Sequence, residues 1–271
     1  MLYHETDGWC QSIIKEHLFS PVTLAKLVPV EGRMPQVTIN NSLKTIADWN
    51  TQGVAMCLDG DNFQGSVTAF SHALALLKSR LEDPSTTATA PLLSAWRSWH
   101  IDAVEAIRPV VESSTSTNSW VLSNHFFIIT PHLILSQDPT MVDVMSNSEA
   151  DALSAVLVYN LALAIHLSGL MNSQHRSKKY RKAQLFYQHA AGFCHSIDFN
   201  AEPDLAVLCL SMANNTAAVS LETLDYNVFE QAREWMGHLL PASPGIVSFA
   251  RKLAGNFATT GSVRDMPSPA A

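Results

Sequence analysis

Five basic residues crowd into one short run, which is the densest group of charges in the chain. Arginine or lysine occupies five of the seven positions in the run RSKKYRK, residues 176–182. Cations at this spacing suit a phosphate or an acidic partner, and similar runs act as nuclear import signals. A solvated loop followed by the first turn of a helix explains the run equally well. We single out Lys178, Lys179 and Arg181 as candidate partner-binding residues.

Three asparagines lie on segments whose spacing predicts helices, and they are Asn160, Asn214 and Asn215. A carboxamide both donates and accepts hydrogen bonds, so it can pair with the backbone of an extended peptide. The same group can instead satisfy a polar atom of a neighbouring helix. The sequence leaves these two alternatives open.

Catalytic and metal-binding patterns are absent from the sequence. His100, Asp102 and Glu105 could supply a base and its orienting acid, but no nucleophile or glycine-rich oxyanion context lies beside them. The eleven histidines show no HExxH spacing, and the acidic run 59–62 lacks the glycine and glutamate positions of a calcium loop. The sequence therefore predicts no enzyme, no metal and no cofactor, with an enzyme of an unrecognised class as an alternative.

The composition is that of a folded protein with an acidic balance. The chain has 271 residues, of which 47% are hydrophobic and 15% charged, so it can bury a large core. Its net charge of -7 provides no general attraction for nucleic acid or for an anionic membrane. The expected partner is another protein or a peptide segment.

Cysteine use and hydropathy predict a location in the cytoplasm or the nucleus. The four cysteines, Cys10, Cys57, Cys194 and Cys209, are far apart in the sequence, as buried free thiols of a reducing compartment are. Residues 1–17 lack the pattern of a secretory signal. No uninterrupted run reaches the roughly 18 apolar residues that a membrane helix needs, so we expect no membrane span.

One stretch of the chain has the spacing of two short helices that fold back on each other. Trp49 and Gly53 are four residues apart in the first, and Ser66 and Phe70 are four apart in the second. Small residues suit a close helix crossing, while the aromatic ring fills the adjoining volume. Gly60, in the connection, suits the left-handed conformation that ends a helix.

Two later stretches repeat this spacing in weaker form. In the second, a YNLA run ends at Ala162, and Ala183 precedes Tyr187 by four residues. In the third, Ala232 precedes Met236 by four residues. Three copies of one spacing predict a helical repeat protein.

These spacings resemble the tetratricopeptide repeat, and a similar pattern occurs in repeat-like proteins of unicellular algae such as diatoms. The repeat places tryptophan and glycine four residues apart on its first helix, and alanine followed by an aromatic residue on its second. Gln52 and Ser66 replace the expected leucine and alanine, so the first copy is divergent. The resemblance implies an all-α fold, in which antiparallel helix pairs form a right-handed superhelical stack.

The resemblance also implies a function. The concave face of such a stack, lined by the first helix of each pair, binds a segment of another protein. First-helix asparagines hold the ligand backbone in peptide-clamping repeats, which makes Asn160, Asn214 and Asn215 candidate partner-binding residues. The favoured hypothesis is a non-catalytic interaction scaffold, and the first alternative is a nucleic-acid or phosphate binder that uses the run 176–182.

The predicted layout has an extended start, a tetratricopeptide-like helical domain and a disordered tail. Within the domain, a weak helical pattern covers 95–107, and the β-branched and aromatic segment 119–136 favours a strand or hairpin. The expected bounds are 1–41 for the extended segment, 42–257 for the domain with helix pairs at about 42–80, 148–196 and 203–240 and an irregular insert at 81–147, and 258–271 for the tail.

Overall fold

The computed structural model describes seven stretches of the chain: residues 42–60, 62–82, 96–104, 126–133, 147–171, 174–194 and 203–242. The expected extended segment 1–41 and tail 258–271 lie outside the described residues. The described part is dominated by six helices, as the all-α prediction requires. They are α1 (Ser42–Leu58), α2 (Phe63–Glu82), α3 (Asn147–Met171), α4 (Arg176–Phe193), α5 (Pro203–Glu222) and α6 (Tyr226–Ala242).

The helices pack as three consecutive pairs, namely α1 with α2, α3 with α4, and α5 with α6. Each pair is joined by a short turn, which makes its two helices antiparallel neighbours. The second helix of one pair also packs against the first helix of the next, so that α2 contacts α3 and α4 contacts α5. In each pair the helices lie where the spacing of small and aromatic residues had placed them.

Local side chains and backbone conformations set the ends of these helices. The Asn62 Oδ1 accepts a hydrogen bond of 2.8 Å from the Gly65 N–H and so caps the start of α2. Asp225 caps α6 in the same way, since its Oδ1 accepts from the Val228 N–H at 3.3 Å. Gly60 has a φ of 74°, which confirms its expected left-handed conformation after α1.

Two helices, α3 and α5, are buried on every side. All residues from 152 to 167 in α3 and from 205 to 220 in α5 are buried. Nearly all these residues are apolar or small, and a helix that is apolar all round belongs in the interior of a protein. These two helices are therefore the centre of the molecule, and they contribute most of the core.

The same two helices are long and apolar enough to cross a membrane by length and composition. Neither helix contains an uninterrupted run of about 18 apolar residues, since scattered polar residues such as Asn160 and His166 interrupt α3 without making it polar on average. In the protein, 89% of the apolar window in α3 and 83% of that in α5 are buried. A core helix passes the same test of composition, so this evidence for membrane spans is weak.

Two strands form an antiparallel pair, β1 (Trp96–Val104) with β2 (Phe126–Leu133). The register pairs Ile101 with Ile129 and Trp99 with Pro131. The backbone of β2 lies against α1, α3 and α5, while that of β1 lies against α5. The strands therefore border the first helix of all three pairs.

The helix predicted for residues 95–107 was wrong, because Trp96–Val104 is strand β1. Aromatic and β-branched residues at these positions favour a pleated strand, and pairing with β2 supplies the backbone hydrogen bonds. Within the segment 119–136, the structure describes residues 126–133 as β2. The rest of that segment lies outside the described residues.

Candidate functional site

A pair of buried amides joins the first helix pair to the second. Asn160 on α3 donates a hydrogen bond of 3.0 Å from its Nδ2 to the Oδ1 of Asn50 on α1. Both side chains have no exposed surface. The sequence analysis did not identify Asn50, although it lies four residues after Ile46 and seven after Leu43, on the buried face of α1.

A second buried contact joins the third pair to the second. The Nδ2 of Asn215 lies 3.4 Å from the hydroxyl of Tyr159 and 3.3 Å from the hydroxyl of Tyr187. An amide nitrogen carries two protons, so Asn215 can donate to both hydroxyls. The neighbouring Asn214 donates from its Nδ2 to the Oδ1 of Asn215 at 3.2 Å. Helix α5 is thereby tied to α3 and α4.

His166 extends this network into the interior of α3. Its Nδ1 lies 3.3 Å from the Tyr187 hydroxyl, and its ring meets the edges of Tyr180 and Tyr187 at centroid distances of 5.4 and 6.1 Å. Burial lowers the pKa of His166 to about 3, and burial raises the pKa of Tyr187 well above its usual value. Both groups are neutral at neutral pH, so the network is one of neutral hydrogen bonds.

The three predicted partner-binding asparagines therefore lie in the interior. Asn160 and Asn215 are 0% exposed and Asn214 is 3% exposed. The amides of Asn160 and Asn215 bond to groups of neighbouring helices, which is the second of the two alternatives that the sequence left open, and Asn214 bonds to Asn215 on its own helix. Because they are buried, no partner can reach them in this conformation. We call α1, α3 and α5 together the first-helix layer.

Three further polar atoms on the first-helix layer are buried without a hydrogen-bond partner in the described part of the chain. They are Nδ2 of Asn50 and the hydroxyl oxygens of Ser211 and Ser220. A serine inside a helix commonly bonds to the carbonyl four residues earlier, as Ser154 does with Ala150 at 2.7 Å. Buried polar groups that remain unpaired are rare and require an explanation.

The basic run occupies the first two turns of α4, which begins at Arg176. Two of its members bond to the end of α3: the Arg176 Nε donates to the Gly169 carbonyl at 3.2 Å, and the Lys179 Nζ donates to the Ser168 carbonyl at 3.1 Å. Carbonyls at a helix end lack partners within the helix, and the dipole there favours cations. Arg176 and Lys179 are therefore part of the helix packing.

The other cations of the run make no hydrogen bond to these carbonyls. Lys178 and Arg181 are exposed and form no ion pair with another described residue. The Lys182 Nζ lies 5.7 Å from the centroid of the Phe186 ring, in reach of a cation–π contact. Of the three predicted basic partner-binding residues, Lys178 and Arg181 are the two available to solvent.

The predicted repeat positions pack in the helix crossings. A Cβ on Gly53 would come within 2.6 Å of the Phe70 ring, so only glycine fits that crossing. Trp49 is half-buried and meets the ring of His72 edge-on at 4.9 Å. The remaining predicted positions are fully or almost fully buried, and they are Ser66, Ala162, Ala183, Tyr187, Ala232 and Met236.

The described part of the chain contains no metal-binding cluster and no cysteine with the features of a reactive thiol. No group of three or more histidine, cysteine, aspartate or glutamate side chains is placed there to hold a metal ion. Cys57, Cys194 and Cys209 are buried thiols. Burial raises the pKa of the Cys57 thiol to about 11, despite a hydrogen bond with Ser66 that lowers it. Cys57 is therefore a protonated, unreactive thiol in the folded state.

No family model, no curated protein and no solved structure matches this chain.

Proposed function

We propose that this protein is a non-catalytic interaction scaffold that binds an extended segment of another protein on its first-helix layer. The observation that carries the proposal is the position of β2, whose backbone lies against all three helices of that layer. An extended segment of the chain itself thus occupies the layer already. A surface that accommodates one extended segment has the shape to accommodate another.

The packing order of the helices supports a tetratricopeptide-like arrangement for this scaffold. The second helix of each pair packs against the first helix of the next, and α3 also contacts both α1 and α5. We propose that this step repeats along the chain to give a right-handed superhelical stack in which the first helices share one face. The proposal assigns the strand pair to an insert on that face.

The proposal assigns two kinds of residue to partner binding. Lys178 and Arg181 are the exposed cations at the rim, suited to an acidic side chain of the partner. Asn160, Asn214 and Asn215 lie on the first-helix layer and would contact a partner only after the cover over the layer moves. Lys179 bonds to Ser168, so it serves both the packing and the rim.

Affinity purification from the native cell, with the full chain as bait, tests the scaffold function. The wild-type bait is compared with Lys178→Glu/Arg181→Glu and with the control Arg233→Glu, which reverses one charge on α6. We expect partners that the wild type and the control retain and the double variant loses. A synthetic segment of such a partner must then bind the purified chain. Identical partner sets on all three baits, or a segment that does not bind, would contradict the proposal.

A phosphate or nucleic-acid binder is a second candidate, favoured by Lys178 and Arg181 near the start of α4, which are exposed and form no ion pair with another described residue. Positive charge at a helix N-terminus is unfavourable with respect to the dipole, and a bound anion relieves it. This candidate predicts binding to a single-stranded oligonucleotide that weakens steeply with salt and is lost in Lys178→Glu/Arg181→Glu. Salt-independent binding would exclude it.

We also propose a cytoplasmic or nuclear location, with α3 and α5 as core helices. The support is that most of each apolar window is buried against other parts of the protein. Cell fractionation with an alkaline wash of the membranes tests the location. Retention in the washed membranes would contradict it.

A further inference from the structure

We propose that the strand pair β1–β2 is a displaceable internal cover of the first-helix layer, and that a partner segment binds by taking its place. This inference rests on the proposed scaffold function and adds a regulatory step to it. The competing occupant is defined by this chain: an extended segment of aromatic and β-branched residues like FFIITPHL, residues 126–133.

The first observation is that the layer is closed. Every residue from 152 to 167 and from 205 to 220 is buried, so α3 and α5 have no face left open. The second helices differ, since α2 and α4 each keep an exposed side. The strand pair is the described element that borders α1, α3 and α5 together. A partner that uses the face bordered by the strand pair must therefore displace the strand pair.

The second observation is that polar atoms of the first-helix layer stay unpaired among the described residues. Nδ2 of Asn50 and the hydroxyls of Ser211 and Ser220 are fully buried and have no hydrogen-bond partner among the described residues. Each loses its hydrogen bond to water on folding and gains none in return, which lowers the stability of the packed layer. A segment that takes the place of the strand pair and also bonds to one of these atoms would gain affinity over the strand pair.

The third observation is that the cover is weakly held by its own backbone. It is a sheet of only two strands, and such a pair is marginally stable unless it packs on something else. Pro131 in β2 has no N–H to donate, and the register is irregular between Trp96 and Ser98. The strand pair depends on the helices it covers, so release from the layer and loss of pairing go together.

A peptide copied from the chain tests the exchange directly. The probe is a fluorescent synthetic peptide of residues 123–136, added to the purified full chain and to the variant Ile129→Pro. Proline at the position paired with Ile101 breaks the ladder and frees the layer. We expect about tenfold tighter binding to the variant than to the wild type, because the intramolecular competitor reduces apparent affinity by the fraction of open molecules. The control variant Ile129→Val should bind as the wild type does.

Two outcomes would contradict the proposal that the strand pair is a displaceable cover. The first is equal affinity of the probe for the wild type and for an Ile129→Pro variant that keeps its helical circular dichroism. The second is binding of a scrambled probe of the same composition as tightly as the true sequence.

A reversible disulfide between the two strands provides a second test if Ile129→Pro fails to fold. The double variant Ile101→Cys/Ile129→Cys places two thiols at directly paired positions of the strands. Oxidation should weaken probe binding about tenfold, since the locked pair opens more rarely, and reduction should restore it. Probe binding that is the same in both redox states, with a disulfide verified by mass spectrometry, would overturn the cover.

These results separate the cover from the scaffold function. If the probe exchanges as expected but no native partner is found, the proposed cover is supported and the proposed scaffold function is contradicted. If a native partner segment binds the wild type, Ile129→Pro and the disulfide-linked form equally, the scaffold function is supported and the proposed cover is contradicted.

Discussion

His166 carries the clearest pH dependence at the scale of single residues. Its pKa is about 3 in the folded protein because burial disfavours the charged ring, against an ordinary value of 6.5. Below that ordinary value the unfolded chain binds a proton that the folded protein does not bind. The free energy of unfolding is therefore highest above about pH 6.5 and falls by about 1.4 kcal/mol per pH unit as the pH decreases towards the folded pKa.

Urea unfolding at about pH 7.5, 6 and 5 measures this slope. The variant His166→Gln should lose most of it, while His175→Gln, which removes an exposed histidine, should keep it. Burial also lowers the pKa of His189, so a smaller slope of the same sign should remain in His166→Gln. A slope that is unchanged in His166→Gln would assign the pH dependence to other groups.

Asn160 and Asn50 should behave as one unit in stability. In Asn160→Ala the amide of Asn50 loses its bond while it stays buried, which should lower the free energy of unfolding by about 1–3 kcal/mol. The further change Asn50→Ala removes the polar group that was left unpaired. The double variant should therefore lose less than the sum of the two single variants. Strict additivity in urea unfolding would show that the two amides act independently.

At the scale of elements, the hydrogen bonds of Arg176 and Lys179 to the end of α3 should stabilise the packing of α3 and α4. Arg176→Ala or Lys179→Ala should each lower the free energy of unfolding by about 0.5–1 kcal/mol, because carbonyls at the end of α3 lose a charged donor. Lys178→Ala is the matched control on the same turn, and it should change stability by less than about 0.5 kcal/mol. Equal effects of all three substitutions would indicate that net charge, and no specific contact, is responsible.

The helix pairs could be predicted from the sequence because their crossings are local. Gly53 and Phe70 lie close together along the chain, and the ring leaves no room for a side chain at residue 53. A small and a large side chain four residues apart on one helix indicate that another helix crosses there. The same reasoning placed Ala183 and Tyr187 correctly in the core.

What covers the first-helix layer could not be predicted, since it depends on contacts between distant segments. Asn160 bonds to Asn50 across most of the first half of the domain, and no local spacing reports that pair. A weak helical spacing led to the prediction of a helix at β1. The residues form a strand because they pair with β2, a distant segment that the spacing does not report.

At the scale of the whole molecule, the chain between α2 and α3 is the long connection of the described fold, spanning residues 83–146. By contrast, α3 is joined to α4, and α5 to α6, by short turns. Closing a long loop costs conformational entropy, which must be met before the contacts between α2 and α3 can form. The pair α1–α2 should therefore associate last as the protein folds and detach first as it opens.

Native-state hydrogen exchange measures this order. Amides of α1 and α2 should exchange through an opening of lower free energy than amides of α3 and α5, as cooperative units of unequal stability do. Asn160→Ala should lower the protection of α1 and α2 more than that of α5, because it removes the amide bond to the docked pair. Uniform protection across all six helices would mean that the molecule opens as one unit. If the order holds, the long connection turns one compact fold into two folding units of unequal stability, held together in part by a single buried amide pair.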